Sequence, residues 1–549
     1  MSSRQPATFD WGNFQSSISP FESREGYWSK NDDVPSVWKI MMNLLDDDDD
    51  SEDGDEDSAH QEETDQHPPA AKKRRTSQPV MWVNDDGTSH VLLPKQTYWY
   101  NAYVRNPQVD NPHFLKKFRL RFRLPHAQFL ELSEMLEASE DFRQWHAGNR
   151  AANGKESFPI PLLLLTSLRY LGRGWTFDDL AENTAMGDEV IRTFFHCFIK
   201  FGSTCLYDMY VRTPVNAREA APHLREYKLA GFPGGVGSTD ATHIMVERCF
   251  WRLRQAHLGF KMSHTARTYN ITVNHRRRIL STTRGHPARW NDKTLALFDD
   301  LMQKINAGEV MDDVIFELYD YGLDGEVIEV KYRGVWLLVD NGYLAWATTV
   351  PPIKNTGSRK EIRFSEWLES MRKDVECTFG ILKGRWRILK SGIRIGGIEG
   401  ADRIFLTCCA LHNWLLETDG LDDKWEEGVR SDWEQNAGEH DINVSNEDDA
   451  TAQVPFAIGR LQNPSQQRGF DMSGMGRGMD KDNDAVEEDV DGEQQPTHGP
   501  GATAVEPFLV RDLSLEYFRS KLITHFDIAF TRNEIVWPQQ KAGNRQTTP

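Results

Sequence analysis

Two acidic stretches limit how much of this 549-residue chain can build a core. Residues 41–70 carry 13 acidic and no basic side chains, and residues 421–500 carry 20 acidic and 6 basic ones. Like charges at that density repel, and neither stretch has the apolar residues needed to offset the chain entropy lost on folding. Subtracting their charges, −13 and −14, from the whole-chain −19 leaves +8 on the other 439 residues. The part able to fold is therefore mildly basic, which suits a polyanionic partner without requiring one.

Composition permits a core there: 39% of residues are hydrophobic and 11% aromatic. The length suggests two to four domains. No apolar run approaches the ~18 residues of a membrane span, so no membrane partner is expected. Six cysteines, at 197, 205, 249, 377, 408 and 409, show no CxxC spacing. That argues against a thiolate zinc site and against disulfides, and for a reducing compartment.

Five segments follow from the pattern. Residues 1–94 read as a disordered acidic region with the basic tetrad Lys72, Lys73, Arg74, Arg75. Such a cluster in a flexible linker resembles a nuclear import signal, or simply offsets its acidic neighbours. Residues 95–230 read as helical. The alternation at 114–123, stopped by Pro125, suggests a short structured lead-in, with helices following at 129–136, 161–171 and 188–202 and one capped by Thr176. Three helices with short breaks fit a helix-turn-helix-like domain or an ordinary helical packing unit. The third is so apolar that it reads as buried rather than groove-reading.

Residues 231–416 change character, with strands at 236–246, 269–273 and 279–283, the last two joined by a turn at His275-Arg276-Arg277. A helix at 291–305, a buried-type strand at 334–340, a long helix at 365–384 and an apolar helix at 404–416 complete the segment. Strands followed by helices predict an α/β fold, a mixed sheet covered by helices. Residues 417–505 read as a disordered acidic linker. The tail, 506–549, has a short helix striped by Leu515, Phe518, Leu522, Ile523 and Phe526.

Three acids stand out by position. Asp240 interrupts a strand, where a carboxylate needs a partner or a metal. Asp340 ends the apolar Leu337-Leu338-Val339 run, where an aspartate is also a natural turn former. Glu376 lies on the long helix, one position off the stripe Trp367, Met371, Val375, Phe379, Leu382, Trp386. It therefore borders the core and can point across strand ends, or pair with Arg372 one turn earlier. Gly380, Lys383 and Arg387 continue its face. His243 is read as a packed strand histidine or as a neighbour of Asp240. The glycine-rich 231–237 lacks a following Gly-Lys-Ser/Thr and is no nucleotide loop.

At these residues the sequence resembles the PIF/Harbinger group of DDE transposases. Residues 369–389, around Asp374-Val375-Glu376-Cys377-Thr378-Phe379-Gly380-Ile381-Leu382-Lys383, resemble its third-acid helix. Asp340-Asn341-Gly342-Tyr343 resembles its Asp-Ser-Gly-Tyr, and Asp240-Ala241-Thr242-His243-Ile244 its first-acid strand. Thirty-five residues separate Asp340 from Glu376, a spacing typical of DDE enzymes. The segment 285–292 resembles another family motif, which implies Asp292 as an additional metal ligand; an N-cap role for it is equally natural.

The resemblance covers 230–416 well and 110–230 more loosely. It implies an RNase H-like sheet, catalytic Asp240, Asp340 and Glu376, and Mg²⁺ or Mn²⁺ held by these and Asp292. It also implies cleavage, and rejoining, of DNA phosphodiester bonds by two-metal-ion chemistry. Lys383, Arg385 and Arg387 are the expected phosphate contacts, with solvated helix charges as the alternative. Implied partners are DNA and a separate Myb-like DNA-binding protein; a homo-oligomer is left open. The competing reading is a nuclear DNA-binding or scaffold protein that keeps the fold without cutting. The expectation to be met is that the three carboxylates fold into one oxygen pocket.

Overall fold

The computed structural model describes residues 81–83, 89–149, 157–259, 264–354, 356–420 and 506–537. Both acidic stretches and the Lys72, Lys73, Arg74, Arg75 tetrad lie outside the described residues.

Helices occupy the first half of the described chain: α1 (Pro112–Phe122), α2 (His126–Ala138), α3 (Ile160–Arg173), α4 (Phe177–Thr184), α5 (Asp188–Phe201) and α6 (Ala217–Leu229). The stretch read as a lead-in is in fact helix α1. Phe114, Phe118 and Phe122 are four residues apart, so one helical face can bury all three. Asn111 caps the first turn through its side chain, and Arg123, at φ 62°, ends the helix. Thr176 and Asp179 close a reciprocal capping box on α4. In α5, Phe194, Phe195, Phe198 and Ile199 are fully buried.

The central sheet contains β1 (Gly235–Met245), β2 (Ala266–Val273), β3 (Ile279–Thr282), β6 (Trp336–Leu338) and β7 (Thr349–Val350) in the order β7-β6-β1-β2-β3, and His286–Pro287 also pairs with β2. It is mixed. β1 runs antiparallel to β2 but parallel to β6. Between β3 and β6 lie α7 (Asp292–Leu297) and α8 (Asp300–Ala307), then the antiparallel hairpin β4 (Ile315–Tyr321) and β5 (Val327–Arg333). The single helix expected over 291–305 is broken because buried Asp299 leaves helical geometry and caps α8, accepting from the Met302 amide at 3.0 Å.

Two long helices follow, α9 (Arg359–Arg385) and α10 (Ile398–Thr418). Packing on α10 joins the helical first half to the sheet. One hydrophobic cluster runs from Phe118 through Phe198 to Leu411 and Ile271, and the Thr407 hydroxyl donates to Ile199 O at 3.2 Å.

The tail returns to complete a second cluster. Strand β8 (Phe508–Leu509) adds parallel to β5, and α11 (Leu515–Thr531) packs Phe518, Leu522 and Phe526 against Phe232, Trp336 and Trp367. Lys521 pairs with Asp320 at 2.8 Å and Arg363 with Asp527 at 3.2 Å. Among the described residues no helix is long and apolar enough to cross a membrane.

A carboxylate cluster around Arg372

The strand register brings the two aspartates side by side. In the parallel β1–β6 pair, Ser238 faces Leu338. Asp240 lies two residues further along β1, on the face that carries Ser238, since side chains alternate along a strand; Asp340 follows the end of β6, with its charge acting on Arg372 of α9. The Ser238 face is covered by α9, where Ser238 Oγ donates to Met371 O at 3.3 Å. The next residue on α9 is Arg372. Its guanidinium donates to Asp240 Oδ2 at 2.9 Å and pairs with Glu376 Oε1 at 2.9 Å.

A fourth acid joins them. Asp292 sits in the first turn of α7, and its carboxylate lies against Gly342: a Cβ there would collide with it. Gly342 belongs to the turn that follows Asp340, so glycine is the residue that lets this acid approach. The cap of α7 is Asn291, whose side chain accepts the Thr294 amide at 2.9 Å, so the N-cap role falls to it and not to Asp292.

The turn itself is pinned from below. Buried Tyr343 donates to Asn270 Oδ1 at 2.6 Å, and Asn270 Nδ2 donates to Asp299 at 2.6 Å. Asp340 accepts the Asn341 amide at 2.6 Å. Helix α9 is locked in rotation by Asp374, fully buried, which accepts from Arg277 Nη1 at 2.5 Å and hydrogen-bonds His275 Nδ1 at 2.8 Å. Arg277 and His275 come from the β2–β3 turn, where Arg277 adopts φ 70°.

Electrostatics follow from this crowding. Burial pushes the Asp240 carboxyl up to about 6. Arg372 and the Ala241 amide oppose the rise, while Glu376 and Asp292 add to it. The two acids that raise it are negative neighbours, so the cluster favours added positive charge. Arg372 supplies that charge in this structure. Among the described residues no three His, Cys, Asp or Glu side chains are placed to hold a metal ion. Two of the carboxylates, Asp240 and Glu376, meet on one guanidinium, and among the described residues no three acids form the expected shared oxygen pocket. Their chemistry still fits a hard divalent cation: the donors are oxygens only, from a strand, a strand end and two helices.

The three basic candidates separate. Lys383 is half-buried and its Nζ donates to His243 O at 3.2 Å. Arg387 is exposed. Arg385 is instead buried, 6% exposed, beside His412, because α9 ends there and Trp386 turns into the core. The helix end also takes Arg387 off the face of Glu376. His243 is an exposed strand residue hydrogen-bonded to the Thr268 hydroxyl at 2.7 Å.

A family comparison matches this part of the chain. Residues 239–413 match the model of the DDE superfamily endonuclease. The matched segment opens one residue before Asp240 and contains Asp292, Asp340, Arg372 and Glu376, with the mixed sheet and its flanking helices. The match covers about a third of the chain and supports a transposase-like nuclease, for which DNA is the substrate and divalent metals are the general requirement. No curated protein and no solved structure matches.

The residue that sequence reasoning undervalued is Arg372. Its pairing with Glu376 was legible from the four-residue spacing, but its reach to Asp240 was not, because 132 residues separate them. Asp374, Asn270 and Tyr343 were passed over as well. A polar residue inside an apolar stripe was the only available signal.

Proposed function

We propose that this chain is a PIF/Harbinger-type DDE transposase, or a nuclease derived from one, that cleaves DNA phosphodiester bonds at the Asp240, Asp340, Glu376 cluster. The observation that carries the reading is the shared guanidinium: a strand acid and a helix acid far apart in sequence both reach Arg372, at 2.9 Å each, beside the Asp340 turn.

Asp240, Asp340 and Glu376, with Asp292, are the residues that would hold Mg²⁺ or Mn²⁺. When bound, such ions lower the pKa of an attacking water and stabilise the charge that develops on the leaving oxygen. The chain supplies position. The Tyr343–Asn270–Asp299 chain fixes the Asp340 turn, and the buried Asp374 pair fixes the rotation of α9, which sets where Glu376 points. Arg372 holds Asp240 and Glu376 together and balances their charge. Lys383, which keeps the face of Glu376, is the phosphate contact of this reading.

The reading extends to a nuclear location, with Lys72, Lys73, Arg74 and Arg75 as the import signal, and to work alongside a separate Myb-like DNA-binding protein. The deciding experiment is nicking of supercoiled DNA: it should require Mg²⁺ or Mn²⁺ and disappear in Asp340→Asn while DNA binding persists. One observation favours a second reading, a DNA-binding or scaffold protein that no longer cuts. Arg372 lies where a cation would be needed, and divalent-ion-independent DNA binding without nicking would select that reading.

A further inference from the structure

Five residues past Asp240, β1 ends and the chain enters a loop. The base of the loop is fixed. The Glu247 amide donates to Ile393 O at 2.9 Å, buried His257 hydrogen-bonds Ala266 O at 3.1 Å, and the Arg289 amide donates to Ala256 O at 3.2 Å. The tip is a tight turn closed by the Leu253 amide on Phe250 O at 2.9 Å. Across that turn Phe250 and Trp251 stand 52% and 79% exposed.

Phe250 and Trp251 are adjacent, so together they make an open apolar patch and not a single scattered residue. The neighbours are cationic. Arg248, Arg252 and Arg254 are all exposed, and Arg252 lies 5.8 Å from the Trp251 ring centroid. The one acid of the loop, Glu247, is paired with Arg394 at 3.4 Å. An open aromatic face beside Arg252, with Arg248 and Arg254 exposed in the same loop, has the chemistry of a nucleic-acid contact: the ring stacks on a base, and the guanidinium groups take phosphates.

We infer that this loop is a DNA-binding element, in which Trp251 stacks on a base exposed where the duplex opens and Arg248, Arg252 and Arg254 hold the flanking phosphates. The inference deepens the nuclease reading and rests on it for the choice of DNA. Five residues of extended strand place the end of β1, where the loop begins, roughly 17 Å from Asp240, about five base pairs along a duplex at 3.4 Å each. A duplex lying along β1 can therefore reach both.

The test is binding of fluorescent DNA by the full chain in chelator, comparing an intact duplex with the same duplex carrying a central mismatched bubble. Wild type should prefer the bubble. Trp251→Ala should weaken bubble binding by roughly 5- to 100-fold, the loss of one stacked base, while duplex binding stays within about two-fold. Trp251→Phe should recover part of the preference. Replacing Arg248, Arg252 and Arg254 by Gln should weaken both DNAs and flatten the salt dependence. Equal bubble affinity in wild type and Trp251→Ala overturns the inference and leaves the nuclease reading intact. Failure of wild type to bind either DNA overturns both. Self-association that vanishes in Trp251→Ala, with DNA binding unchanged, would assign the surface to a second copy and overturn the inference.

Discussion

Replacing Arg372 by methionine keeps the length of the side chain and removes the cation that bridges Asp240 and Glu376. The Asp240 side chain is 24% exposed and that of Arg372 10%, so their interaction is poorly screened. A neighbouring arginine typically lowers an aspartate pKa by about 1–3. Without it, Asp240 should climb from about 6 to roughly 7–9. The sign for stability follows. A carboxyl raised above its unfolded value of about 3.9 favours the fold when protonated, so its contribution is full below pH ~4 and is lost as pH rises through the folded value. In the wild type, in chelator, that loss is about 3 kcal/mol, finished soon above pH 6. In Arg372→Met it should continue to roughly pH 8, adding about 1.4–4 kcal/mol. Urea unfolding from pH 4 to 9 reads this directly, with Asp240→Asn and Asp240→Asn/Arg372→Met as controls. If Arg372→Met runs parallel to wild type above pH 6, or if the extra slope survives in the double variant, the electrostatic account of the cluster is wrong.

Other expectations are independent of that one. Asp374→Leu strands Arg277 in the core, where its Nε and Nη2 already lack partners, and should cost about 3–5 kcal/mol in urea unfolding; Arg277→Met/Asp374→Leu should recover most of it. Burial pushes His286 down to about 4, so its neutral form favours the fold and stability rises with pH between about 4 and 6.5. His286→Phe keeps the stack on Trp290 and should gain up to about 2 kcal/mol at pH 5 relative to pH 8; no pH dependence in the difference would refute it. Phe526→Ala removes a fully buried ring shared by Phe232, Phe364 and Trp367 and should destabilise by about 3–5 kcal/mol. A change below 1 kcal/mol would mean that α11 is not part of the core.

Much of the fold was legible because periodicity and capping are local. Thr176, Gly174 and Gly187 set helix ends that the structure keeps within a residue or two, and the apolar runs at 161–171 and 404–416 are buried helices. The errors arose where two periods compete or where burial overrides pattern. The stretch 114–123 alternates like a strand and also repeats every four residues, and packing selected the helix. The helix over 291–305 was broken by Asp299, whose partner Asn270 lies 29 residues away. The β4–β5 hairpin was passed over although Ile315-Phe316-Glu317-Leu318 alternates exposed and buried around the turn at Gly325. No local signal announces that residues 506–537 return to close the core, since strand addition to β5 and packing on Trp367 depend on partners 140 to 180 residues upstream.

What the sequence determined by itself was the set of acids and the elements that carry them, because a strand carboxylate, a strand-end carboxylate and a helix carboxylate each mark a break in an apolar pattern. What only the tertiary structure decided was their meeting. Parallel pairing of β1 with β6 aligns Asp240 with Asp340, and the buried Asp374–Arg277 pair turns α9 so that Arg372 faces them. Pairing and rotation are set by contacts across more than 90 residues of chain, and their free energy comes from burial shared by the whole core, which no stretch of sequence contains alone.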